Sequence, residues 1–171
     1  MIDFDFFVNV DAKKSITICS KKAYIKILSA LEMLDCLKIA QSQCKIICKN
    51  NISKTLVYNA ALILKFLYQG NAPLFCDVKQ VLNCLTTEQI SNLCKEYQKF
   101  EKESAKFSIY KDEKIKKIVE NSSIEEMIEC VFDTDDLIYI QSKLKDISAY
   151  QLMWLYADYI DKNSKYIFKE Q

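Results

Sequence analysis

Few side chains in this sequence have the type and spacing to do chemistry. Two adjacent acid pairs, Glu125-Glu126 and Asp135-Asp136, are of the kind that serves acid–base work or binds a divalent cation. Both fall in first turns of expected helices, where a carboxylate complements the helix dipole. Neighbouring helix residues point about 100° apart, so neither pair converges on one ion. The chain has no His, which removes the commonest general base and the commonest metal ligand. A nucleophile would have to recruit Lys or a carboxylate as its base. Eight cysteines, at positions 19, 36, 44, 48, 76, 84, 94 and 130, invite a zinc or disulfide reading. No CxxC pair occurs among them, and no His can complete a ligand set. Cys36, Cys44, Cys84, Cys94 and Cys130 fall on or beside apolar helical faces, where a thiol acts as a small hydrophobe. One Gly and one Pro leave no material for a phosphate-cradling loop. The residues therefore predict a non-enzyme without metal or cofactor.

Charge and composition narrow the partners. Twenty-four basic residues face 23 acidic ones in 171, so no global field attracts nucleic acid or an anionic membrane. Every basic residue is Lys, and without the guanidinium fork specific nucleic-acid readout is not expected. The run Lys111-Asp112-Glu113-Lys114-Ile115-Lys116-Lys117 reads as the solvated face of a helix with Ile115, Ile118 and Val119 beneath it; two acids inside it speak against a phosphate patch. Half the residues are hydrophobic and 27% are charged, which suits a folded domain. The longest apolar runs, such as Ala60 to Leu64, fall short of a membrane span. The start, Met1-Ile2-Asp3-Phe4-Asp5, lacks the basic region of a secretory signal. Together with unpaired cysteines, this predicts a reducing cytoplasm.

The elements that would carry these residues are mainly helical. The fold expected is a multi-helix bundle with a small N-terminal antiparallel hairpin or three-stranded sheet. Residues 2–10 alternate apolar and polar, as do 15–19, with a turn at 11–14 and a short third strand at 23–28. Three capping boxes mark helix starts: Ser29 with Glu32, Thr86 with Gln89, and Ser148 with Gln151. The first opens a helix to about Gln43, and the second opens a long one through Phe100 or Glu101. Ser53 caps a nearly uncharged helix from Leu56 to Tyr68, the expected central core helix, which Gly70 ends with Pro73 beyond. Phe75 to Cys84 predicts a short helix, and 123–132, 134–145 and 149–161 predict three more. Texture changes near residues 105–120, so a boundary is placed there, dividing 1–105 from a C-terminal helical unit at 106–171. Trp154, Tyr156 and Tyr159 on the last helix, with Tyr97 and Phe100 on the long one, are the candidate protein-interface residues.

One resemblance extends this reading. The short sheet leads to Ser29-Ala30-Leu31-Glu32-Met33-Leu34-Asp35-Cys36-Leu37-Lys38-Ile39-Ala40. A middle helix, Leu74-Phe75 and then Val81-Leu82-Asn83-Cys84-Leu85-Thr86-Thr87-Glu88-Gln89-Ile90 follow, with Tyr97 beyond. From about Tyr24 to Phe100 this order resembles the tail assembly chaperones of long-tailed bacteriophages. The resemblance implies a helical protein that coats the tape-measure protein and helps recruit tail-tube subunits, with no catalytic residues. It would bind through apolar helix faces, and self-association is compatible with it. The competing reading is a phage or mobile-element inhibitor of the anti-CRISPR type, which blocks a host defence protein by covering its surface.

Overall fold

The computed structural model describes residues 12–18, 20–47, 53–105 and 112–167. The expected mainly helical fold with a small N-terminal antiparallel sheet is observed. Among the described residues there are eight helices and a four-stranded sheet in the order β1-β2-β3-β4. The alternating stretch at 2–10 lies outside the described residues.

β1 (Lys13–Ile18) and β2 (Lys21–Lys26) pair antiparallel, with Ile16 opposite Ala23 and Lys14 opposite Ile25. Lys13 and Lys14, expected in a turn, belong to β1, and β1 passes into β2 by way of Ser20 at φ 62°. Burial alternates, so Ile18, Ala23 and Ile25 lie inside while Lys13, Ser15 and Thr17 face outward. Lys14, on the inner side, pairs with Glu96 and ties the sheet to the long helix.

α1 (Ala30–Ile47) begins at the expected capping box. The Ser29 hydroxyl accepts from the Glu32 amide at 3.2 Å, and the Glu32 carboxylate accepts from the Ser29 amide at 3.0 Å. α2 (Lys54–Phe66) is capped by Ser53 and buries Val57, Ala60, Ala61, Leu62, Ile63 and Phe66. It is the central core helix that its lack of charge predicts.

Here the chain departs from the expected path. α2 stops at Phe66, and Leu67–Gln69 form β3, in which Tyr68 lies opposite Tyr24 and Leu67 opposite Ile25. β4 (Ala72–Pro73) completes the sheet. Gly70, at φ 59°, therefore turns a hairpin and is not the helix terminator that its position suggests. The physical reason is the free edge of β2, whose backbone groups need partners that Leu67 and Tyr68 supply. Stacking of the Tyr24 and Tyr68 rings, with centroids 5.7 Å apart, adds to the pairing. Pro73 fits because it sits on the outer strand.

α3 (Val78–Cys84) starts later than Phe75, because the Asp77 carboxylate accepts from the Gln80 amide and sets the cap there. α4 (Thr87–Ser104) opens with the full Thr86–Gln89 capping box. α5 (Glu113–Asn121) buries Ile115 and Val119 of the three residues expected beneath the charge run, and Ile118 is partly buried against the same cluster. α6 (Ile124–Val131), α7 (Leu137–Asp146) and α8 (Ala149–Ile167) follow. α7 begins at Leu137 and not Thr134, since Asp136 is its cap and accepts from the Ile138 and Tyr139 amides at 3.0 Å.

Buried apolar residues form two clusters. One joins the sheet with α1 to α4, around Ile25, Val57, Phe66, Val81, Ile90 and Tyr97. The other joins α5 to α8, around Val119, Met127, Ile147, Leu152, Leu155 and Ile160. α1 serves both: Cys36 and Ala40 enter the first, Ala30 the second. At the junction Ser29 and Ser148 form an antiparallel bridge, with the Ala30 amide donating to the Ile147 carbonyl at 2.7 Å.

Candidate functional site

The five aromatic residues singled out from the sequence do not form one surface. Tyr97 is 1% exposed, and its ring stacks on Phe66 at 4.7 Å between centroids. Tyr156 is 4% exposed; its hydroxyl donates to Glu126 at 3.0 Å and lies 3.1 Å from the Ser122 hydroxyl. Both are core residues in this fold and present no surface to a partner. Trp154 is half-buried on the second cluster, and Phe100 is half-buried on the first with the Lys14 ammonium 6.0 Å from its ring centre. Tyr159, at 38% exposed, is the most accessible of the five and stacks on Tyr156. Apolar spacing on α4 and α8 identifies contact-forming faces, but it does not distinguish contact within the chain from contact beyond it.

The cysteines divide by depth. Cys36 and Cys94 are buried, and burial pushes both thiols up to about 12, which makes them inert packing groups. Cys44 and Cys130 are partly covered, while Cys84, expected on an apolar face, is exposed. It lies in the last turn of α3, beyond the buried pair Val78 and Val81. Among the described residues no three Cys, Asp or Glu side chains are grouped so as to hold a metal ion. No described helix is long and apolar enough to cross a membrane.

The most unusual polar group is internal. Glu101, on the apolar face of α4, is 7% exposed at the junction of the two clusters. It accepts from the Tyr150 amide at 3.3 Å, and hydroxyls of Tyr97 and Ser148 also bond to it. Tyr97 in turn accepts from the Leu28 amide at 3.3 Å. This chain of hydrogen bonds links the segment between β2 and α1, α4 and the first turn of α8. Burial pushes the Glu101 carboxyl up to about 7, against the opposing effect of its three donors. With donors from Tyr97, Ser148 and Tyr150 bonded to it, the group is a strut between elements.

The outer surface offers a different feature. A groove of about 640 Å³ lies between α1, α6 and α7. Leu31 and Leu34 of α1, Ile128 and Phe132 at α6, and Ile140 and Leu144 of α7 supply its apolar lining. Leu137 lines its end at 70% exposed, and the adjacent Ile138 is 83% exposed, the largest apolar exposures in the described chain. Glu125, Glu129, Asp133 and Asp135 also line it, with Lys38 as the one cation among the described lining residues. Glu125 lines this groove while Glu126 turns to Tyr156, the divergence expected of adjacent helix residues. The sequence did carry a signal for this site. Leu137-Ile138-Tyr139-Ile140 is an unbroken apolar run in a short helix, and a helix facing a core on one side cannot bury all four.

Comparison of the chain with protein-family models, with curated proteins and with solved structures yields no match.

Proposed function

We propose that this chain is a non-catalytic protein-binding module, and that it acts as a phage tail assembly chaperone for tape-measure and tail-tube proteins. The observation that supports binding is the concentration of exposed apolar surface at one place: Leu137 at 70% and Ile138 at 83%, beside an apolar groove. Large accessible aliphatic groups at the mouth of a concave apolar surface are characteristic of a protein-interaction site. The chaperone identity comes from the resemblance over Tyr24 to Phe100, a stretch that includes the α1 wall of the groove. Reaction chemistry lacks support, since the buried thiols are inert and Glu101 is committed to holding α4 against α8.

The test is affinity capture with the tagged full chain from cells that produce it, followed by mass spectrometry. Recovery of a very long helical tape-measure protein, lost in a Leu137→Asp/Ile138→Asp variant, is the expected result. Both side chains are exposed, so this variant retains the fold. Capture of a host nuclease or defence complex instead overturns the chaperone assignment in favour of an inhibitor. Capture that the groove variant leaves intact overturns the assignment of the binding site.

A further inference from the structure

The groove between α1, α6 and α7 is lined by apolar side chains and by charged ones of mostly one sign. Among the described residues, four carboxylates, Glu125, Glu129, Asp133 and Asp135, line it together with a single ammonium, that of Lys38. None of the four takes part in an ion pair among the described residues. The chain as a whole carries a formal charge of +1, so this excess of negative charge is local. Residues 123–136 hold six acids and no Lys.

We propose that this groove receives a cationic amphipathic helix of a partner protein, with the partner's apolar stripe on the groove floor and its Lys or Arg side chains against the four carboxylates. The inference rests on the protein-binding reading above and specifies the chemistry of the occupant. Three features select that occupant. None of the lining residues belongs to a strand of the sheet, so they offer no strand edge to which an extended peptide could add. Leu31 and Leu34 on α1, and Ile140 and Leu144 on α7, form i,i+3 and i,i+4 pairs that create ridges and a furrow of the kind a third helix packs into. The four carboxylates repel an acidic segment or a nucleic acid and attract a basic one, which fixes both orientation and selectivity.

The test uses fluorescence anisotropy with the full chain and two synthetic helical peptides of roughly 18 residues, about five turns. Both carry Leu at i, i+3, i+4 and i+7; one has Lys on the flanks of this stripe, the other Glu. The Lys peptide is expected to bind about tenfold or more tightly than the Glu peptide, with the advantage shrinking as salt is raised. Glu129→Lys/Asp133→Lys should remove that preference, and the neutral Leu137→Ser, at a residue that lines the groove, should weaken the Lys peptide; unchanged circular dichroism melts show that both variants are folded. Equal binding of the two peptides, or indifference to the charge reversal, overturns the proposal. Concentration-dependent dimers abolished by the same variants also overturn it, assigning the groove to a second copy. Failure of the two readings is distinguishable. Equal peptide binding combined with loss of the captured partner in the Leu137→Asp/Ile138→Asp variant sinks the cationic occupant and leaves the protein-binding site standing. Retention of the captured partner in that variant sinks the site itself.

Discussion

Glu101 shows how one residue can act on the whole fold. Its side chain sits among the Tyr97 and Ser148 hydroxyls and the Tyr150 amide, with no cation bonded to it. A buried carboxylate with hydrogen bonds and no opposite charge favours its neutral form. Its folded value of about 7 stands above the ordinary 4.5, so folding takes up a proton between these two values. The stabilising contribution of the neutral acid is therefore full below about pH 4.5 and is lost as pH rises through about 7. The gap between 4.5 and about 7 corresponds to about 3 kcal/mol. Denaturant titrations at pH 5 and pH 8 should show that decline in the native chain and a flatter profile in Glu101→Gln. An equal pH dependence in the two proteins would remove Glu101 as its source. Glu96 contributes with the opposite sign, because its hydrogen bond and charge pairing with Lys14 lower it.

Among the elements, the β3–β4 hairpin depends most on a single backbone position. Gly70 adopts φ 59°, and an added Cβ would meet nothing within 4 Å. The cost of a larger residue is thus purely conformational, about 1–2 kcal/mol for an L-residue held in the left-handed region. Gly70→Ala should lose about that much stability in denaturant titration, and Gly70→Asn less, because Asn enters this region more readily. Equal losses for the two would point to a steric cause in place of the backbone. The hairpin matters to its neighbours because β3 covers the edge of β2, and the Tyr24 hydroxyl donates to the Gly70 carbonyl across the turn. α7 is the opposite kind of element. It buries only Leu144 and leaves Leu137 and Ile138 exposed, so its sequence meets a requirement that packing among the described residues does not explain.

The two apolar clusters of the molecule are tied at one seam. The Ser29–Ser148 bridge, the Ala30-to-Ile147 hydrogen bond and the Glu101 network cross it, and α1 contributes side chains to both sides. Separating the clusters would draw Ala30, 0% exposed, out of the second cluster with the rest of α1 and would strip Glu101 of its Ser148 and Tyr150 partners. Both consequences disfavour partial unfolding. Trp154 is the single Trp and lies in the second cluster, so its emission reports on that side, whereas far-ultraviolet circular dichroism reports on all helices. The two signals should follow one coincident denaturation transition. Separate midpoints would show that the clusters fold as independent units.

Much of the fold was legible because its signals are short in range. The Ser29–Glu32, Thr86–Gln89 and Ser148–Gln151 boxes each join residues three apart, and all three form as written. The uncharged face of α2 likewise announces burial without reference to the rest of the chain. What was not legible depends on partners distant in sequence. β3 replaces the last turn expected of α2 because β2, over 40 residues earlier, leaves an edge to be paired. Glu101 looked like a polar alternative to Phe100 on α4, yet it is the buried one because Tyr150, 49 residues away, brings a donor to it. Tyr97 and Tyr156 shared an aromatic signature with Tyr159, and only assembly of the helices put the first two inside. Glu125 and Glu129 of α6 came to line a groove with Leu137 once α1 and α7 were laid beside them. Capping and periodicity are set by neighbours along the chain, whereas burial and surface shape are set by which elements meet.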